Sequence, residues 1–173
     1  GTGRNFGAEF TLEKFFGDGY YFLVTTSLFD SKYTGSDGVE RNTAFNTRYV
    51  VNILGGKEFS IGDDDVLALN IKLSTTGGRY LTPIDLVASA AAGRTIFDES
   101  RAYSEQQTPY FRLDVRIAYR MEFAGATMEF SVDLQNATNN KNVFVQSFNR
   151  RTGGLTTEYQ QGFFPVPTFR VTF

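Results

Sequence analysis

From Tyr110 to Phe123 the chain alternates without a break between an apolar set and a mostly charged one. Phe111, Leu113, Val115, Ile117, Tyr119, Met121 and Phe123 make up the apolar set, while Arg112, Asp114, Arg116, Arg120 and Glu122 dominate the other, with Tyr110 and Ala118 between them. A period of two belongs to a β-strand, in which successive side chains leave opposite faces. At about 3.3 Å per residue, a strand of roughly fourteen residues reaches about 45 Å, well past the five or six residues usual in soluble sheets. That is enough to cross a bilayer at a tilt.

The same pattern predicts other strands. Ala8, Phe10 and Leu12 oppose Glu9, Thr11 and Glu13, and a second strand runs from Tyr20 to about Ser31 with no assigned facing. A third, from about Thr47 to Ile61, sets Tyr49, Val51 and Ile53 against Arg48 and Asn52, although Val50 and Leu54 interrupt its polar side. A fourth carries Leu67, Leu69, Ile71 and Leu73 against Ala68, Asn70, Lys72 and Ser74. After Tyr110–Phe123, a sixth pairs Met128, Phe130, Val132 and Leu134 with Glu129, Ser131, Asp133 and Gln135, and the last spans Phe163 to Phe173. Val143 to Phe148 and Leu155 to Tyr159 are candidates for an extra hairpin around Thr152-Gly153-Gly154.

The connections alternate in length. Gly17 to Gly19, Gly62 to Asp65 and Ala124 to Gly125 are tight, whereas Lys32 to Asn46, Thr75 to Pro109 and Asn136 to Gly162 are long. All short turns therefore lie at one end of the sheet and all long loops at the other, as in outer-membrane barrels. The expected fold is all-β: an antiparallel transmembrane β-barrel segment of about seven meandering strands. Phe15, Phe16, Tyr20, Tyr21, Phe59, Tyr119 and Phe123 gather near the short turns as an expected interfacial girdle. A terminal strand this apolar is a hazard unless another strand covers its edge. Pro165 and Pro167 belong near its rim or on a free edge, because they cannot donate to a ladder.

Composition narrows the chemistry. With His at 0 and Cys at 0, the commonest general base, thiolate metal sites and disulfides are all missing. No cluster of Lys and Arg suits a nucleic acid partner. Leu86 to Ala92, the longest nearly apolar run, is far short of the roughly twenty residues of a membrane helix, so any span is made of strands. Asp63, Asp64 and Asp65 suit a turn better than a calcium loop, and Asn136-Ala137-Thr138 matches a glycosylation acceptor that also suits a turn. Glu9 with Glu13, and Glu129 with Asp133, stand about 13 Å apart along one strand face, too far for paired-carboxylate hydrolysis. No enzyme, cofactor or metal is expected. Arg112, Asp114, Arg116, Arg120, Glu129 and Asp133 fall on the polar side as lumen-facing candidates, either lining a polar pathway or forming a cross-strand charge ladder.

Tyr110-Phe-Arg-Leu-Asp-Val-Arg-Ile-Ala-Tyr-Arg, Ser131-Val-Asp-Leu-Gln-Asn-Ala-Thr-Asn and Thr157 to Phe173 together resemble the C-terminal barrel of TonB-dependent outer-membrane receptors, most closely the Bacteroidetes type. The resemblance implies a bacterial outer-membrane location and a barrel of about 22 strands closed by an N-terminal plug. It implies import of a nutrient such as a glycan, peptide, metal chelate or cobalamin-like ligand. The implied partners are outer-membrane lipid, the remaining barrel and plug of the same receptor, the TonB complex reached through that plug, and the barrel-assembly machinery. A surface lipoprotein partner is left open. Phe169, Val171 and Phe173 match the assembly signal, and Arg79, Tyr80, Arg94, Arg101 and Tyr103 are the ligand-loop candidates. Residues 1–173 carry no plug, so they are expected to be the C-terminal part of such a barrel. The alternatives are a small eight-stranded structural or adhesin barrel, with a strand supplied by Thr82 to Ala92 or by the extra hairpin, and a soluble carbohydrate-binding β-sandwich.

Overall fold

The computed structural model describes residues 1–173 and is all-β with antiparallel pairing. Its strands are β1 (Thr2–Gly17), β2 (Tyr20–Thr34), β3 (Glu40–Asn42), β4 (Tyr49–Ile61), β5 (Asp65–Thr76) and β6 (Tyr80–Leu81). After helix α1 (Leu86–Ala92) and a single 3-10 turn at Glu99–Arg101 come β7 (Glu105–Gln106), β8 (Tyr110–Phe123), β9 (Ala126–Gln135), β10 (Val143–Asn149), β11 (Gly154–Tyr159) and β12 (Phe164–Thr172). One sheet holds eight strands, in the meander β1-β2-β4-β5-β8-β9-β12 with β3 added beside β2. The β10–β11 hairpin and the β6–β7 pair are separate small sheets.

The register carries one face across the whole meander. Phe10 stands beside Thr26 and Val51, and Leu12 leads through Val24, Ile53, Leu73 and Leu113. Further down, Leu69, Ile117, Val132 and Pro167 form another row of that face. No second layer covers it: Ile117 is 44% exposed, Val132 38% and Phe10 58%. A sheet whose apolar side stays bare has no interior of its own, and only Tyr80 and Ala118 are buried hydrophobes. The sheet is neither closed on itself nor packed as a sandwich.

The apolar face has sharp upper and lower limits. Toward the long loops it ends at Asp30 and at Arg4 and Lys32, both held by Glu40 at 3.2 and 3.5 Å. Toward the short turns it ends at Lys14, over the Tyr20 ring at 4.2 Å, and Lys57, over Phe59 at 5.0 Å. From Tyr49 to Lys57 the band measures about 26 Å at roughly 3.3 Å per residue, the height of the apolar belt of an outer-membrane barrel.

The expected girdle needs correction. A bulge between Lys14 and Gly17 breaks the alternation, so Phe15 projects outward and Phe16 packs near Tyr21, 6.4 Å between ring centres. Tyr21 lies on the polar face, where its hydroxyl donates to Asn70 at 2.9 Å. The expected Phe59 and Tyr119 share a row that crosses the sheet through Leu67 to Phe130 and Phe169, which stack at 4.5 Å. Tyr119 points its hydroxyl to Asp65 at the rim, 2.6 Å. Pairing across strands, invisible along a single strand, assembles that row.

The segregation of turns and loops is as expected, and Asp18-Gly19, both left-handed, makes a two-residue turn. Thr82 to Ala92 does not supply a spanning strand. Its latter part is α1, capped by the Asp85 side chain on the Ala88 amide and closed by Gly93 in the left-handed region. The extra hairpin forms but stays outside the main sheet.

Candidate functional site

The polar face carries hydrogen-bonded and ionic clusters from β1 to β9. Ser27 donates to Glu9 at 3.4 Å, and Thr25, Asn52 and Ser74 link β2, β4 and β5. On β8 and β9 the bonds become ionic. Arg112 pairs with Asp114 at 2.7 Å and reaches Gln135, while Arg120 meets Glu58 at 3.3 Å and Glu122 at 3.8 Å. Arg116 holds two acids at once, Glu129 at 2.9 Å and Asp133 at 2.8 Å.

That fork has a structural cause. Asp133 is directly across from Arg116, Glu129 lies four residues along the same face, and a planar guanidinium has donors enough for both. Between them Ser131 is buried, and its hydroxyl has no partner. All six lumen-facing candidates therefore share one face, in three ionic clusters: Arg112 with Asp114, Arg116 with Glu129 and Asp133, and Arg120 with Glu58 and Glu122. Every acid in the set is engaged, which is the arrangement of a charge ladder.

The loop end is built on asparagine knots that sequence reasoning missed. Fully buried Asn46 donates to Asp30 and Asn42 at 2.9 Å and accepts from the Ser31 amide at 3.0 Å. Asn136, left-handed at φ 47°, donates to the carbonyls of Asn140 and Gln161 and accepts the Asn140 amide. Asn142 closes on both the amide and the carbonyl of Phe111. The Asn136-Ala137-Thr138 triplet is thus a loop anchor, with its asparagine buried. The only signal along the chain was the density of Asn between 136 and 142.

Other contacts tie the three long loops together. The Phe148 amide donates to Thr95 at 3.0 Å, Tyr33 meets Tyr103 edge-on at 6.2 Å, and Arg79 lies 5.5 Å from the Phe45 ring. Between the loops is a cavity of about 490 Å³, bordered by Arg79, Tyr80, Phe97, Tyr103, Glu105 and Phe144.

Neither family models, nor curated proteins, nor solved structures match this chain. The ligand-loop candidates separate into groups. Arg79 and Tyr103 border the cavity; Tyr80 does too, but it is buried and its hydroxyl accepts from Arg48 at 3.1 Å, so it is a post of the loop. Arg101 is tied to Asp98 at 2.7 Å, which raises the guanidinium pKa and, with the Ser100 hydroxyl as the larger cause, lowers that of Asp98. Arg94 is exposed and away from the cavity lining. Of the proposed assembly signal, Phe169 stacks on Phe130, Val171 pairs with Met128, and Phe173 is 98% exposed beyond the last strand.

Proposed function

We propose that this chain is part of the barrel wall of a TonB-dependent active transporter in the bacterial outer membrane, with its long loops on the ligand-capturing side. The bare, two-faced sheet carries this reading: one face is apolar over a band of bilayer height, and the other carries clusters of paired charges suited to water. Apolar side chains against acyl chains need no second protein layer, and backbone groups in lipid are satisfied by strand pairing everywhere but the outer edges of β1 and β12, which the rest of the barrel closes. The wall has no catalytic role. It imports a nutrient together with the rest of the barrel, a plug, the TonB complex and, where present, a surface lipoprotein, and the terminal strand engages the barrel-assembly machinery.

The small closed barrel is the weaker reading, because neither α1 nor the β10–β11 hairpin adds a strand to the sheet. A soluble sandwich lacks its second layer. The test is in cells: deleting residues 82–97 from the loop between β5 and β8 abolishes uptake of one nutrient while the protein still fractionates with the outer membrane. Growth unchanged on every nutrient contradicts the import role.

A further inference from the structure

Both outer edges of the sheet lack a strand partner, and they run the same way. The meander has seven strands, so β1 and β12 both descend from the loop end to the turn end. The edge of β1 is long, its residues are exposed nearly throughout, and it has no proline after Thr2 to blunt it. Open edges of this kind are templates for another strand.

Charge on β1 says which strand. On its polar side stand Glu9 and Glu13; Glu9 accepts only a 3.4 Å bond from Ser27, and Glu13 forms no hydrogen bond or salt bridge. Every other acid on this face has a cationic partner, on a neighbouring strand for Glu58, Glu129 and Asp133 and on their own strand for Asp114 and Glu122. On its other side β1 presents Phe6, Phe10 and Leu12, exposed by 63%, 58% and 48%.

A second copy of this chain fits poorly. Keeping the same face to water, a copy can present only two edges. Placed the same way up it offers β12, which would lie parallel to β1, whereas every pair in the structure is antiparallel. Rotated within the sheet it offers β1 itself, which sets Glu9 against Glu13 in both directions when centred on Thr11 and puts the long loops at opposite ends.

We propose that the β1 edge is a docking surface for a different strand, one that ascends antiparallel to β1 and carries Arg or Lys opposite Glu9 and Glu13. Its other face bears hydrophobes that continue the row of Phe6, Phe10 and Leu12. This deepens the barrel-wall reading and rests on it. With both edges descending, the strands that bridge them in an antiparallel barrel are odd in number.

The natural absence of cysteine allows a direct test on the full chain folded in lipid vesicles. Two synthetic peptides as long as β1 alternate Val with Thr and differ only in carrying Arg or Glu at the positions facing Glu9 and Glu13. The Arg peptide binds about tenfold more tightly, since opposite-charge pairs replace like-charge ones. The preference disappears in the double variant Glu9→Gln, Glu13→Gln, and Thr11→Cys gives no intermolecular disulfide on oxidation. Equal binding of the two peptides, or efficient dimers through Thr11→Cys, overturns the proposal while leaving the barrel reading intact. A chain that stays folded and monomeric in buffer without lipid or detergent overturns both.

Discussion

Tyr21 reaches Asn70 across an intervening strand, its hydroxyl donating at 2.9 Å, because Gly56 stands between them without a side chain. A Cβ at position 56 would lie 2.6 Å from a Tyr21 ring carbon. Gly56→Ala is expected to cost about 1–3 kcal/mol through overpacking, and Tyr21→Phe about 1 kcal/mol for the lost bond. Urea unfolding in lipid vesicles measures both, and the double variant should be less than additive, since the two changes act on one contact.

Opposite faces of β8 should respond differently to charge. Val115 pairs with Ile71 and Leu134 on the apolar face, so Val115→Arg should destabilise by about 2–4 kcal/mol near the bilayer midplane. Arg116→Gln should cost about 1 kcal/mol, because it leaves Glu129 and Asp133 without their shared cation while water still reaches all three. Equal losses at 115 and 116, by the same unfolding assay, would contradict the assigned faces.

Much of this was legible along the chain and some was not. Tyr110–Phe123 could be delimited because its alternation has no fault, and the loop segregation followed from turn residues alone. The facing of Tyr20–Thr34 could not be read, since Leu23 and Phe29 share the polar face with Thr25 and Ser27. Phe16 misled because the bulge after Lys14 brings it to Tyr21 on the polar face. The aromatic row through Phe130 and Phe169, the lysines that end the apolar band and the asparagine knots all depend on pairing between distant strands. Only register brings them together.

Asn136 offers a test that separates conformation from bonding. Asn136→Gly keeps the left-handed backbone but removes the side chain, and Asn136→Ala removes both advantages. The glycine variant should lose about 1–3 kcal/mol for orphaned buried groups, and the alanine variant about 1 kcal/mol more. Hydrogen exchange at the Asn140 amide, which donates to Asn136, should accelerate in both.

The loop after β2 should respond to acid. The Arg41 guanidinium, with help from the Val39 amide, holds the Asp37 carboxyl at about 2 against an ordinary 3.8. A depressed carboxyl stabilises the folded loop above its unfolded value, and that contribution is lost as pH falls from about 4 toward 2. NMR titration of the Asp37 carboxyl carbon should show the low midpoint, and Arg41→Gln should return it toward 3.8.

The most direct measurement is a nitroxide scan along β8 in lipid vesicles, one cysteine at a time in a chain that has none. Spin labels at Leu113, Val115 and Ile117 should collide with oxygen dissolved in the acyl region, and labels at Arg112, Asp114 and Arg116 with a water-soluble nickel chelate, alternating residue by residue. Labels at 113, 115 and 117 that meet the nickel chelate as readily as their neighbours, in a chain that stays folded and monomeric without lipid or detergent, would contradict a membrane-facing sheet.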